Sequence, residues 1–240
     1  MVNILAAAFG LGSILFAEKP ADRDHPYGHG KIEYFAQAFE GGLIALAAFL
    51  IVLDTVERIY SPHEILNLGL GLKLNILAGL GNGVLGFLLV SIGKKYQSTT
   101  VRADGIHLLT DLITTVGMAL GLGLMLWTGW HWIDPVLAIL VALFLFRTGI
   151  QLVRHSSSAL LDAENPELIE KIVEHLNVLQ KDPTFHQILA VHGLKAQEFG
   201  RDKHVDIHVV VPEFLSIKDA HDLADRYAYS LHHMLGHDSE

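Results

Sequence analysis

The chain has 240 residues, 51% hydrophobic and 18% charged, with a mean hydropathy of +0.38, which is too apolar for an ordinary soluble domain of this size and assigns most of it to lipid. The formal charge of −9 is unevenly placed, with 10 Lys and Arg against 11 Asp and Glu in residues 1–155 and 7 against 15 in residues 156–240. The acidic tail argues against nucleic acid as a partner, which needs a basic surface, and zero cysteines exclude disulfides and thiolate sites, leaving any metal to His, Asp, Glu or Asn.

The first apolar run, Met1 to Ala17, has neither a basic flank nor a small-residue cleavage site, so it is not a signal peptide. It is short for a span, which takes about 20 residues, and is expected to be the latter part of a helix whose beginning is missing. Asn3 at its start could give its amide oxygen to a metal or bond a neighbouring helix. Next comes Asp22-Arg23-Asp24-His25-Pro26-Tyr27-Gly28-His29-Gly30-Lys31, in which Pro26, Gly28 and Gly30 predict a turn. A turn can gather Asp22, His25 and His29 around one cation, or it can simply be a solvated loop at the bilayer surface. Lys31 would suit an anionic lipid head group or a carboxylate such as Asp162.

Four stretches are long enough to cross a bilayer, at about 34–56, 74–93, 112–133 and 135–153. Glu40 lies in the first of them, where a carboxylate is either near the cytoplasmic boundary or part of a proton route. His107 and Asp111 stand at the entrance to the third. Residues four apart share one helix face, so an imidazole and a carboxylate point together into a low-dielectric interior. His and Asp are good ligands for zinc and for divalent iron, cobalt or manganese, and a second helix would complete a four-coordinate site. The competing interpretation is a His–Asp hydrogen bond that joins two helices. Gly117 and Gly121 permit a close neighbour under either one.

Orientation follows from the basic residues, which favour the cytoplasmic ends of spans. Lys19, Arg23 and Lys31 lie between the first two runs, Lys94, Lys95 and Arg102 between the third and fourth, and Arg147 and Arg154 leave the fifth. The turns around Ser61 to Leu70 and Gly129 to Asp134 have none, and Arg58 is the one dissenting charge. The tail is therefore expected in the cytoplasm, with residues 1–155 as a transmembrane domain and 156–240 as a separate metal-sensing and dimerisation domain. Within the tail, Glu164-Asn165-Pro166-Glu167 starts a helix whose apolar stripe is Leu168, Ile169, Ile172, Val173, Leu176 and Leu179. Strands are expected at Ile188–Phe199 and His204–Val211, and a last helix from Ser216 to Leu235, in the order αββα. His192, His208 and His221 could converge there on a metal, or could be partly exposed polar faces.

The residues quoted above, together with Asp134-Pro135 opening the last span and Leu160-Leu161-Asp162 before the tail, resemble the cation diffusion facilitator family of divalent metal/proton antiporters, zinc transporters among them. Order and spacing hold over nearly the whole chain. The resemblance implies a membrane helical bundle, a cytoplasmic α+β domain of ferredoxin-like type, and a homodimer. It implies a transport site between the family's second and fifth helices, with His107 and Asp111 as its fifth-helix half. Asn3 falls at one second-helix position and the other would precede Met1. It maps the family's loop metal site to Asp22, His25 and His29 and its cytoplasmic metal positions to His192, His208 and His221. The family adds a first helix before this chain and a final strand after it, so the chain looks clipped at both ends.

The function implied is an inner or plasma membrane exporter that exchanges a cytoplasmic divalent cation, zinc before Fe2+, Co2+, Cd2+ or Mn2+, for protons. It needs no enzyme chemistry and no cofactor beyond the transported or regulatory metal. Metal ligands must be unprotonated, so each bound metal displaces protons, and an imidazole, which ordinarily titrates near pH 6.5, makes His107 the natural place for that exchange. A rival is a non-transporting, membrane-anchored metal-binding scaffold or dimer partner. An intramembrane metalloenzyme is disfavoured, because there is neither a His-Glu-x-x-His helix nor a nucleophile elbow.

Overall fold

The computed structural model describes residues 2–60, 68–130, 132–199 and 202–235, and side chains within 6–60, 73–130, 132–198 and 203–235. The chain divides into two units, 1–161 and 162–240.

The first unit is helical, with α1 (Val2–Ala17), α2 (Ile32–Tyr60), α3 (Leu68–Lys95), α4 (Thr99–Thr128) and α5 (Ile133–Leu160). Helices α2 to α5 are long and apolar enough to cross a membrane. The largest departure from the sequence reading is α4, which begins thirteen residues before the apolar run expected at 112. Arg102, Asp104, His107 and Asp111 fill its first turns and mask the helix from hydropathy. Ser98 nonetheless caps it, accepting from the Val101 N–H at 3.4 Å. Glu33 at the start of α2 accepts from Ser98 Oγ at 2.6 Å and from the Thr100 N–H at 3.3 Å, placing a carboxylate at the positive helix end. Helix α4 stops earlier than expected, at Gly129, whose left-handed φ of 74° lets its N–H bond the Met125 carbonyl at 2.9 Å.

Helix α2 packs most extensively on α5, and α3 on α4; α4 also borders α2 and α5, and α1 lies against α2 and α4. Without a hydrophobic force between helices in lipid, close backbone approach has to supply the packing. At the α2–α5 crossing it is supplied by Gly41 and Gly149, where a Cβ on Gly149 would fall 2.6 Å from the Gly41 carbonyl oxygen. Around it Ile44, Ala48, Leu145 and Leu152 form a buried cluster. Gly117 and Gly121 do face a neighbour, α5, through Val141 and Asp134. The outward faces carry exposed Phe35, Phe49, Leu85, Phe87 and Leu143, suited to acyl chains.

With the tail in the cytoplasm, as the Lys and Arg distribution requires, the starts of α2 and α4 lie on the cytoplasmic side and the α4–α5 turn lies outside. That turn holds Trp127, Trp130 and Trp132, all well exposed, as expected where aromatic rings sit at the membrane–water interface. Arg58 is neutralised there: it pairs with Asp54 one turn back and lies 3.7 Å from Asp134 on α5. This explains how a basic residue is tolerated at the outer end of α2. The turn expected around Ser61 to Leu70 falls largely on residues 61–67, which lie outside the described residues.

The second unit runs α6 (Pro166–Leu179), a 3-10 turn at Pro183–Phe185, β1 (Ala190–Phe199), β2 (Asp202–Val210) and α7 (Ile217–Met234), the αββα order expected. Asn165 caps α6 by accepting from the Glu167 N–H at 3.0 Å, and Pro166 takes the first position. The strands pair antiparallel, with His192 opposite His208 and an irregularity between His192 and Lys195. Leu168, Ile172, Leu176, Leu179, Phe185, Ala196, Leu223, Tyr227 and Leu231 make the core, joined by Val205, Ile207 and Val209 from β2. Val173, expected in the α6 stripe, instead turns outward at 41% exposure, because the buried face follows 168, 172, 176 and 179.

Candidate metal centre

Between α1 and α2 the loop folds around Asp22. Its Oδ1 accepts from the backbone N–H groups of His25 at 2.7 Å and Asp24 at 3.0 Å, and Gly28, at φ 81°, returns its N–H to the His25 carbonyl at 3.0 Å. This brings His25 Nδ1 to 3.2 Å from Asp22 Oδ1 and His29 Nε2 to 3.5 Å from Asp22 Oδ2. The three side chains each offer a ligand atom, all within 4.8 Å of one another, and among the described residues they are the only such group of three. His29 is buried and fixed: its Nδ1 lies 3.3 Å from the Lys19 carbonyl. A carbonyl can only accept, so Nδ1 carries the hydrogen, and Nε2, on the Asp22 side, is the nitrogen that could take a cation.

The backbone N–H of His25 is the main cause that holds the Asp22 carboxyl below its ordinary 3.8. Such a depressed group contributes above its unfolded value, and the contribution is lost only as pH falls through the lower folded value. Asp22 is thus ionised throughout about pH 5 to 8. Replacing Asp22 by Asn is expected to weaken cation binding at this loop while leaving the slope of affinity against pH in that window unchanged. Calorimetric titration at several pH values would read both quantities.

Inside the bundle the two residues of the His107/Asp111 pair face different neighbours. His107 is buried, and its Nδ1 lies 2.7 Å from Oε2 of Glu40 on α2, which is itself 2% exposed. Asp111, one turn further along α4, has its Oδ2 3.4 Å from the Asn82 amide nitrogen on α3. Glu40 stands eight residues in from Ile32 and His107 eight in from Thr99, so both lie about 12 Å below the cytoplasmic ends of their helices. Thr110 and Thr115 return their hydroxyl hydrogens to the carbonyls of His107 and Asp111, at 2.6 and 2.9 Å, which satisfies them within the helix. Asn82 is a site neighbour that sequence reasoning missed. The available signal was an amide side chain in the middle of an otherwise apolar span. Asn3 lies in α1, and its side chain is outside the described residues.

In the tail, the His192 and His208 rings meet edge-on across the strands at 5.2 Å between centroids. His221 is exposed on α7 and lies 3.5 Å from Asp225, one turn on. Within one chain these three are not brought together as a ligand group among the described residues.

The description "cation efflux transmembrane domain" fits residues 1–161, and "cation efflux protein, cytoplasmic domain" fits residues 166–240. An uncharacterized transporter of Synechocystis is 34% identical over 224 residues, 93% of this chain and 71% of the relative. The cation-efflux pump FieF of Shewanella oneidensis is 31% identical over 227 residues, 93% and 73% of the two chains. The zinc transporter ZitB of Yersinia pestis is 28% identical over 238 residues, 97% and 72%. With both units matched in order, the first holding, among the described residues, four helices long and apolar enough to cross a membrane and the second an α+β fold, the chain belongs to the cation efflux, or cation diffusion facilitator, family of integral membrane divalent-cation transporters with a cytoplasmic C-terminal domain.

Proposed function

We propose that this protein exports a divalent cation, zinc first among them, across the plasma or inner membrane in exchange for protons, and does so as a homodimer. The observation that carries the proposal is a buried imidazole, His107, one helical turn from a carboxylate, Asp111, in the middle of a bundle whose outward surface is made for lipid. Ionisable groups at that depth are costly and mark ion pathways. In this reading His107 and Asp111 form the fourth-helix half of the transport centre, with Asn3 as a donor from α1. Asp22, His25 and His29 hold a second cation at the cytoplasmic mouth, and His192, His208 and His221 serve metal sensing between two tails. Zinc is supported by the donor set of imidazole and carboxylate and by the zinc transporter among the relatives. Protons are the natural counter-ion, because the same nitrogens and oxygens that bind metal bind protons instead when acidified.

A second reading has its own observation. Glu40 and Asn82 engage His107 and Asp111 from two neighbouring helices, as a polar lock in a non-transporting scaffold would. Flux through liposomes separates the two. With the full chain reconstituted, zinc outside and a zinc dye and a pH dye inside an acidic lumen, saturable zinc entry with matching lumenal alkalinisation is the expected result. Zinc entry without a pH change would remove the antiport, and no entry at all would favour the scaffold.

A further inference from the structure

Glu40 is among the most completely buried large side chains in the molecule, and nothing in a cation-binding pair of His107 and Asp111 calls for it. It sits on the inward stripe of α2 with Gln37, Gly41, Ile44 and Ala48. A leucine at that position would pack there without the desolvation cost of a carboxylate. What the carboxylate gains is a single short contact, Oε2 to His107 Nδ1 at 2.7 Å. A histidine ligand is usually oriented by an acceptor on the ring nitrogen that does not touch the metal, and a carboxylate is a common choice. The same arrangement appears at the loop, where the Lys19 carbonyl fixes His29 through Nδ1 and leaves Nε2 facing Asp22. Gln37 on the same stripe accepts from Ser156 Oγ at 2.9 Å and lies 3.3 Å from His155 Nδ1, contacts that tie α2 to α5.

We infer that Glu40 is a positioning residue of the transport centre: it holds the His107 ring by Nδ1 and thereby presents Nε2 to the cation. The inference rests on the reading of His107 as a ligand. It adds that the ring has one tautomer and one orientation, both imposed from α2 and not from α4. Relative movement of α2 and α4 would then turn the ligand itself.

Two measurements on the full chain test this, both with His25→Ala present to weaken the loop site. The first titrates Co2+ against the purified protein and follows the absorbance component that His107→Asn removes. Glu40→Leu is expected to weaken that component by about 10–100-fold, the usual cost of losing such a partner, and Glu40→Gln, which still accepts a hydrogen bond, to recover most of the loss. Affinity within about twofold of the parent for Glu40→Leu would overturn the inference, and so would Glu40→Gln behaving like Glu40→Leu. If His107→Asn removes no component, the ligand reading itself has failed and the inference falls with it. The second measurement needs no variant at Glu40: the 15N spectrum of the metal-free, histidine-labelled chain at alkaline pH should show the His107 signal with the hydrogen on Nδ1. A hydrogen on Nε2 would sink the proposal whatever the titration gives.

Discussion

Asp111→Ala is expected to reduce zinc uptake into liposomes by more than about 100-fold, since the loss of an outer partner of a metal ligand already costs about 10–100-fold and, on the proposed reading, this change removes a ligand atom itself. The fold should survive. Asp111 is not fully buried, and its contact with Asn82 on α3 is long, at 3.4 Å. His107→Ala should cost as much transport and is the less clean experiment. It leaves Glu40 in the interior without its partner, and breaking a buried pair from one side costs about 3–5 kcal/mol. Asp22→Ala and His25→Ala should lower flux only in part, because on the proposed reading a cation held there would sit at the mouth of the pathway and not at its centre. Uptake in the Asp111 variant equal to that of the parent would remove the transport centre from α4, and the gel-filtration profile of the same preparation shows whether the protein stayed assembled.

The second large effect concerns the α2–α5 crossing. Gly149→Leu would place a Cβ 2.6 Å from the Gly41 carbonyl oxygen and 2.7 Å from the Ala45 backbone nitrogen. Neither obstacle is the flexible end of a side chain, so the helices must part. Overpacking a core costs about 1–3 kcal/mol when side chains can yield, and here backbone has to move, so the loss should reach or pass the top of that range. The neighbouring Gly42 meets nothing within 4 Å. Gly42→Ala should therefore leave stability unchanged or raise it by up to about 1 kcal/mol through helix propensity. Thermal unfolding of both variants in detergent, followed by circular dichroism, gives the comparison. A Gly149 variant that melts with the parent would mean that this crossing is not where the bundle is held.

What the sequence disclosed about the fold depended on how well local chemistry matched the environment. The spans containing Glu40 and Asp134 stood out because long apolar runs surround those charges. The start of α4 did not, because Arg102, Asp104, His107 and Asp111 occupy its first turns and only the Ser98 cap betrays the helix beneath. The tail strands were legible from the alternation of His204, Asp206 and His208 with Val205, Ile207 and Val209, which indeed point to the core. For the candidate site, the loop gave itself away because Asp22, His25 and His29 are close in sequence and one turn suffices to gather them. The neighbours of His107 and Asp111 were hidden for the opposite reason. Glu40 and Asn82 lie 67 and 29 residues from their partners, and such pairings depend on which helix packs on which.

The placement of Trp127, Trp130 and Trp132 has a practical consequence. They are the only tryptophans in the 240 residues, so the emission excited selectively from tryptophan, beyond the absorption of the six tyrosines, comes from one short stretch at the outer face. A spectral change on adding metal from the cytoplasmic side would have to be relayed through the full thickness of the bundle to be seen. An unlabelled fluorimeter trace thus becomes a detector of the outward end, blind to events at the loop or in the tail unless those events travel.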